Sequence, residues 1–322
     1  MKAIQIREIG GPEVLLFVEL PDPVPGAGQA LVRLDCAGIN YIDIYYRTGL
    51  YKQSLPLIPG LEGAGKVVAL GPGVTDVRVG DRVAWADAIG SYAELVAVPV
   101  DRLVPINPAV SSIDATALML QGITAHFLAT STFPLSPGQT CLIHAAAGGV
   151  GLLLCQIASR RGARVIATVS TEAKAALARS AGASEVILYS SQDFVAETRR
   201  LTGDAGVDVV YDSVGKTTFE AGLGVLKPRG MMVLYGQSSG VVPPFDPGLL
   251  ARSGSLYLTR PTMGHYVRGR QALMDRVTEL FSWAAEGWLK TSIGGTWPLA
   301  EAVRAHQSLE GRATTGKLLL IP

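Results

Sequence analysis

Residues 115–159 contain no Asp, Glu, Lys or Arg. A run of this length without charge belongs in a membrane or in a protein interior. Pro134, Pro137 and several glycines interrupt it, and it also carries His126, Gln139 and His144. No unbroken apolar segment of about 20 residues remains to span a bilayer. The sequence therefore predicts the doubly covered centre of a parallel sheet here. The 322 residues, 48% hydrophobic and only 17% charged, give material for about two domains of roughly 150 residues each. So little charge with so much apolar surface excludes intrinsic disorder. The 37 glycines and 19 prolines follow no fixed period, which excludes collagen and repeat arrays. Basic and acidic residues number 28 and 27, and no basic run stands out, so nucleic acid is not an expected partner.

The three cysteines, Cys36, Cys141 and Cys155, form neither a close pair nor an even set. Cys141 lies in a strand-like apolar run and Cys155 in a helix-like one, as buried free thiols of a reducing compartment would. The opening MKAIQIREIGG has no apolar stretch of signal-peptide length. A cytoplasmic location is the expectation.

The first 110 residues read as short strands (2–6, 14–20, 29–37, 65–70, 81–84) separated by Gly- and Pro-rich turns at 21–28 and 71–81. From about Ser112 the rhythm changes. Strands at 140–144, 163–169, 185–189, 207–212 and 231–235 alternate with helices at 149–161, 171–180, 192–201 and 217–226. That alternation implies right-handed crossovers and a doubly wound sheet. Residues 255–259 add a sixth strand. The tail carries helices at 268–286 and 299–310 and a last strand at 317–321, and one reading returns it to the first domain.

AAAGGVG, residues 145–151, follows the strand CLIH and opens a helix. Gly148 and Gly151 take the last two glycine places of a dinucleotide fingerprint, Gly148 admitting a pyrophosphate and Gly151 allowing close helix–strand packing. Gly149 and Val150 begin the helix, whose unpaired N–H groups and positive dipole end suit a phosphate. Strand, turn and helix all fall in the required order, which a bland strand-to-helix turn does not demand. The second strand ends ATVST, placing Ser170 where an NAD site puts a carboxylate for the ribose hydroxyl. Lys174 follows one helical turn on, with Tyr189 at the end of the third strand. A carboxylate would repel a 2′-phosphate and an ammonium attracts one, so this arrangement favours NADPH. Glu172 is a counterweight, unless it faces away as a first-turn acid.

The segments GGPEVL (10–15), GINYIDIYYRTGLY (38–51), GLEGAGKV (60–67), GDRV (80–83), HAAAGGVGLLLCQ (144–156), YDSVG (211–215), SLYLTRP (255–261) and RATTG (312–316) run from end to end of the chain. Together they resemble the zinc-free quinone oxidoreductases related to zeta-crystallin, within the medium-chain dehydrogenase/reductase superfamily. The resemblance implies an α/β fold with a β-rich GroES-like catalytic domain over 1–120 and a Rossmann-type doubly wound parallel sheet over 121–262. Residues 263–322 would then return to the catalytic domain. It implies a homodimer, and NADPH-dependent, zinc-independent reduction of quinones, with alkenal or enone reduction as the alternative. Relatives also include structural crystallins and RNA-associated proteins, a reading that the neutral charge disfavours.

Zinc enzymes of the superfamily use a Cys and a His of the first domain. Here Asn40 or its neighbours take the Cys place, and Gly-His-Glu reads Gly60-Leu61-Glu62. Leucine cannot ligate zinc, and three scattered thiols cannot build a four-thiolate structural site. No metal is expected. Without a Lewis acid to hold an alkoxide, a conjugated acceptor that spreads its charge suits the chemistry better.

The resemblance places Asn40, Tyr45 and Tyr51 at the active site, with Arg260 nearby. Asn40 offers an amide to the substrate or the nicotinamide ribose, Asp43 orients its neighbours, and the tyrosines supply hydroxyls and ring faces. A Tyr-rich β edge is the structural alternative. Thr124 of the Gly-x-Thr element, Gly236 and Ser238 after the fifth strand, and Arg312 are further cofactor candidates. Gln121 departs from the family, in which Lys often precedes that element.

Overall fold

The computed structural model describes residues 1–322, which form two compact units: Met1–Ile123 together with Val267–Pro322, and Thr124–Tyr266.

The second unit is built on a six-stranded, wholly parallel sheet. Its order is Glu185–Leu188, Arg164–Val169, Thr140–Ile143, Val207–Asp212, Leu226–Leu234, Tyr257–Thr259. Chain order reverses between Thr140–Ile143 and Val207–Asp212, which is where the carboxyl ends of such strands leave a ligand crevice. The central strands read as unbroken apolar runs because both faces are covered. Leu142, Ile166, Val210 and Met232 are buried together with Phe219 and Leu223. Helices Gly149–Arg160, Glu172–Ser180 and Phe194–Leu201 make the crossovers.

The first unit carries a seven-stranded sheet whose backbone is the long strand Gln29–Ile39. That strand pairs antiparallel with Glu62–Leu70, with Leu95–Pro99 and, on its far end, with the terminal strand Lys317–Ile321. The tail thus enters the first unit's sheet, with Leu318 opposite Ile39, 279 positions earlier in sequence (318 − 39). Ile4, Val32, Trp85, Tyr92, Val98, Leu318 and Leu320 form its core.

Several elements differ from the sequence expectation. The charge-free run is mostly helical: Ser112–Ala117, Ile123–Phe127 and the π-helical turns Leu118–Gly122 and Leu128–Thr132 occupy its first part, and only Thr140–Ile143 is sheet. Lack of charge reports burial, and these helices are buried nearly all round. The strand placed at 14–20 covers only Leu16–Glu19, after a 3₁₀ turn at Pro12–Val14. The helix placed at 217–226 is limited to Phe219–Leu223, since the fifth strand already begins at Leu226. Strands Leu95–Pro99 and Ile293–Pro298 lie outside the expected set, although LVAVP is an apolar run with β-branched residues.

No helix is long and apolar enough to cross a membrane.

Candidate active site

In the first unit, the segment that supplied most candidates is a helix, Tyr41–Arg47, rather than a β edge. Ile and Tyr are indifferent helix formers, so its start depends on a cap. Asp43 Oδ2 accepts the Asn40 N–H at 2.8 Å while the Asp43 N–H donates to the Asn40 carbonyl at 3.1 Å. Asp43 and Asn40 form a capping box at the helix start, and the Asn40 amide also reaches groups outside the helix. Tyr45 and Tyr51 lie edge-to-face with ring centroids 5.3 Å apart, and the Tyr51 N–H donates to the Tyr45 carbonyl. The structure therefore brings Asn40, Asp43, Tyr45 and Tyr51 into one neighbourhood.

Behind them is a buried polar network that the sequence reading missed. Asn40 Nδ2 donates to Glu62 Oε1 at 2.6 Å, and Leu120 N donates to Glu62 Oε2 at 2.7 Å. Lys317 Nζ donates to the Ile39 carbonyl, to Asn40 Oδ1 at 3.1 Å, and to Glu62 Oε1. Gln121 Nε2 donates to the same Asn40 Oδ1 at 3.0 Å. Lys317 and Glu62 are almost completely excluded from solvent. Buried ions of this kind persist only when paired and hydrogen-bonded. One signal was visible in the sequence: Lys317 is the sole charge in the apolar strand KLLLI.

A second chain of contacts leads from Asp43 to the C-terminal helix Ala302–Glu310. Arg47 NH1 lies 3.1 Å from His306 Nδ1, His306 Nε2 lies 3.1 Å from the Tyr92 hydroxyl, and that hydroxyl donates to Asp43 Oδ2 at 3.0 Å. A guanidinium only donates, so Nδ1 is the acceptor and the ring proton sits on Nε2. Burial pushes the Asp43 carboxyl up to about 7 against the N–H of Asn40 and the hydroxyl of Tyr92. Burial, with the Arg47 charge, holds His306 down to about 3.

These two groups move stability in opposite directions with pH. Folded Asp43 keeps its proton where the unfolded chain, ionising near 4, has lost it, so its contribution falls as pH rises from about 4 to 7. Neutral His306 contributes in the other sense, its stabilisation being lost as pH falls from about 6.5 to 3. Asp43→Asn preserves an oxygen for Asn40 N and Tyr92 while removing the acid. Relative to the parent, this variant gains stability as pH rises from about 4 to 7, by about 1.4 kcal/mol for each pH interval of one. Urea unfolding at a series of pH values reads the difference, and parallel profiles would contradict the buried-acid assignment.

All of the remaining candidates except Arg312 lie in the second unit. Gly148 precedes helix Gly149–Arg160 with φ −75° and provides no side-chain acceptor for the first turn, which Gly149 and Val150 open. Ser170 and Tyr189 end neighbouring strands, the Tyr189 N–H donating to the Val169 carbonyl, and Ser190 Oγ donates to the Ser170 carbonyl. Lys174 sits in the first turn of helix Glu172–Ser180, capped by Thr171. Glu172, the counterweight, has its carboxylate 3.6 Å from Arg179. A Cβ on Gly236 would fall 2.5 Å from the Ser213 carbonyl oxygen, and the Ser238 N–H also donates to that oxygen. Thr124 is buried at the start of the unit. Arg260 is exposed, one guanidinium nitrogen donating to the Leu234 carbonyl. Arg312 belongs to the first unit, exposed in the turn after the C-terminal helix with φ 55°.

Comparison with known proteins agrees with this architecture. A family model described as alcohol dehydrogenase GroES-like domain matches residues 26–108, and one described as zinc-binding dehydrogenase matches 149–283. A quinone oxidoreductase of Pseudomonas aeruginosa is 44% identical, covering 100% of this chain and 99% of that protein. A 2-haloacrylate reductase of Burkholderia is 40% identical over 99% of this chain and 98% of its own length. The crystal structure of Escherichia coli quinone oxidoreductase complexed with NADPH superposes with a TM-score of 0.98 at 43% identity, each chain covered completely.

The zinc in one of those descriptions finds no matching donors here. Leu61 stands between Gly60 and Glu62, and Cys36 Sγ is engaged by Thr116 Oγ1 at 3.1 Å, with burial pushing the thiol up to about 11. No group of three His, Cys, Asp or Glu side chains is placed to hold a metal ion. In sequence over its full length, in both domains and in fold, the chain belongs to the quinone oxidoreductase family of the medium-chain dehydrogenase/reductase superfamily.

Proposed function

We propose that this protein is an NADPH-dependent, zinc-independent reductase of quinones. The observation that carries the reading is Gly148. Its backbone lies outside the left-handed region and an added Cβ would meet only the Ala145 carbonyl oxygen, at 3.2 Å. Conformation does not demand glycine there, and a shift of a few tenths of an ångström would relieve the one tight contact, so the approach of a ligand phosphate to an uncapped helix N-terminus is the stronger reason for it. The NADPH complex of the E. coli relative supports the choice of cofactor.

On this reading Gly148, Gly149 and Val150 hold the pyrophosphate, while Ser170, Lys174 and Tyr189 surround the 2′-phosphate. Thr124, Gly236, Ser238 and Arg312 make the remaining cofactor contacts. When bound, reduced nicotinamide supplies a hydride. Asn40 donates a hydrogen bond to an oxygen of the bound molecules, Tyr45 and Tyr51 give a planar acceptor ring faces and hydroxyls, and Asp43 holds their helix. Arg260 assists at the substrate end. Because the donors are amides and phenols rather than an ion, charge must be spread over the acceptor itself, as in a quinone.

Stopped-flow loss of nicotinamide absorbance with simple benzoquinones tests the proposal. Rapid saturable oxidation of NADPH is expected, and no turnover with any quinone at saturating NADPH would defeat it. The 2-haloacrylate reductase relative favours a second reading, reduction of an activated alkene. Comparing kcat/KM for matched quinone and enone substrates separates the two. The free edge of strand Tyr257–Thr259, with Tyr257 half exposed, supports assembly as a homodimer, which sedimentation reads directly. We place the enzyme in the cytoplasm on its free thiols.

A further inference from the structure

We propose that Lys317 is a positioning residue that locks the side-chain amide of Asn40 with its N–H side committed to donation, so that Asn40 meets only an acceptor oxygen of bound substrate or cofactor. The proposal rests on the reductase reading for its ligands, but its geometry is independent of it.

An asparagine amide looks nearly the same in either flip, and only its partners decide which end is oxygen. Here they decide without ambiguity. Lys317 Nζ has donors and no acceptor, and it lies 3.1 Å from one end of the amide. Glu62 Oε1, against the other end at 2.6 Å, accepts from it. The end facing Lys317 must therefore be Oδ1 and the end facing Glu62 must be Nδ2. Gln121 Nε2 takes a second place on Oδ1, at 3.0 Å, so the two lone pairs of that oxygen are used. Nδ2 has two hydrogens and gives one to Glu62. What Asn40 has left to offer is a single N–H.

Lys317 does this from the terminal strand, whose pairing with Gln29–Ile39 sets Leu318 opposite Ile39, next to Asn40. Its ammonium is buried, and it touches Ile39, Asn40 and Glu62 together. Glu62 is fixed from a third side by the Leu120 N–H. Without the lysine, Oδ1 retains only Gln121, whose own amide can turn, and Glu62 alone then fixes the Asn40 flip, a determinant that is also lost once Glu62 becomes neutral. Position 121 is an equivalent post for a cation, since its side-chain nitrogen already reaches the same oxygen.

Three variants test this. Lys317→Met removes the cation and leaves Glu62 buried. Lys317→Met with Glu62→Gln makes the site neutral, a form that folds even if the single variant does not. Lys317→Met with Gln121→Lys returns the charge from the other side. The wild type is expected to show one protected, well-dispersed pair of Asn40 side-chain N–H resonances, identified by their loss in Asn40→Ala. In the neutral double variant these resonances should broaden or split between two orientations, with Tm close to wild type. At the same time kcat/KM for benzoquinone should fall roughly 10- to 100-fold, the scale of one misplaced polar contact. The Gln121→Lys variant should restore both resonance and rate. A fall at saturating NADPH with unchanged NADPH Kd assigns the acceptor oxygen to the substrate, whereas a matching rise in NADPH Kd assigns it to the cofactor. A neutral double variant with wild-type amide resonances and rate, or a folded Gln121→Lys variant that restores neither, overturns the proposal. Should the wild type reduce no quinone, the resonances still decide the lock, and only the proposed reaction falls.

Discussion

Replacing Lys174 by glutamate is expected to raise the Kd for NADPH by about 100-fold or more, while that for NADH changes only a few-fold. On the proposed reading, the substitution turns a positive charge beside the adenosine ribose into a negative one, opposite a phosphate carrying close to −2. A charge-assisted contact of this kind contributes roughly 1.5–3 kcal/mol, and each 1.4 kcal/mol is a factor of ten. Replacing attraction with repulsion then exceeds simple loss. The position fits such a role. Lys174 occupies the first turn of a helix that begins directly after Ser170, and partial burial lowers its pKa, as expected for an ammonium held against protein rather than in bulk water. Glu172, which would offset it, is turned toward Arg179. Fluorescence titration with both cofactors reads the ratio. Equal losses for NADPH and NADH would show that Lys174 does not face the 2′-phosphate, and the preference would have to come from elsewhere.

The parts of this molecule that could be read in the sequence are those whose determinants are local. Strand Arg164–Val169 and its neighbours are covered on both faces, so each is a short continuous apolar run between a glycine or serine turn and a helix. The bounds of Lys317–Ile321 followed from its pattern alone. Helix Tyr41–Arg47 did not, because its Ile and Tyr residues suit a strand equally well and the deciding interaction is one carboxylate on one main-chain N–H. The charge-free run at 115–159 measured burial correctly but contains no period that separates a buried helix from a buried strand. Long-range pairs were least accessible. Glu62 and Lys317 are 255 positions apart, and Tyr92 and His306 are 214 apart, so no window of sequence contains either contact. The candidate residues Asn40, Asp43, Tyr45 and Gly148 came from motifs, whereas Glu62, Lys317 and Tyr92, which hold Asn40 and Asp43, came only from the fold.

The two glycines of the turn should fail in different ways when each is given a methyl group. In Gly151→Ala the new Cβ would stand 2.6 Å from the Ala145 carbonyl oxygen and 2.7 Å from Ala146 Cα and its carbonyl carbon. All three are backbone atoms, so the helix must move off the sheet. Overpacking of this type costs about 1–3 kcal/mol, and Tm should drop by several degrees. In Gly148→Ala the nearest atom, the Ala145 carbonyl oxygen, is 3.2 Å away and φ is −75°, so the turn has to give by only a few tenths of an ångström, far less than at Gly151. Its Tm should stay close to wild type. On the proposed reading, however, the same methyl would project where a pyrophosphate approaches the N–H groups of Gly149 and Val150. NADPH affinity should fall about tenfold or more, with kcat at saturation less affected. Differential scanning calorimetry alongside cofactor titration separates the two losses. If Gly148→Ala bound NADPH as the parent does, the helix N-terminus would be an ordinary strand-to-helix turn and the nucleotide would have to be held elsewhere. If instead both variants lost stability equally, Gly148 would be explained by packing, and the reason given for its smallness would be gone.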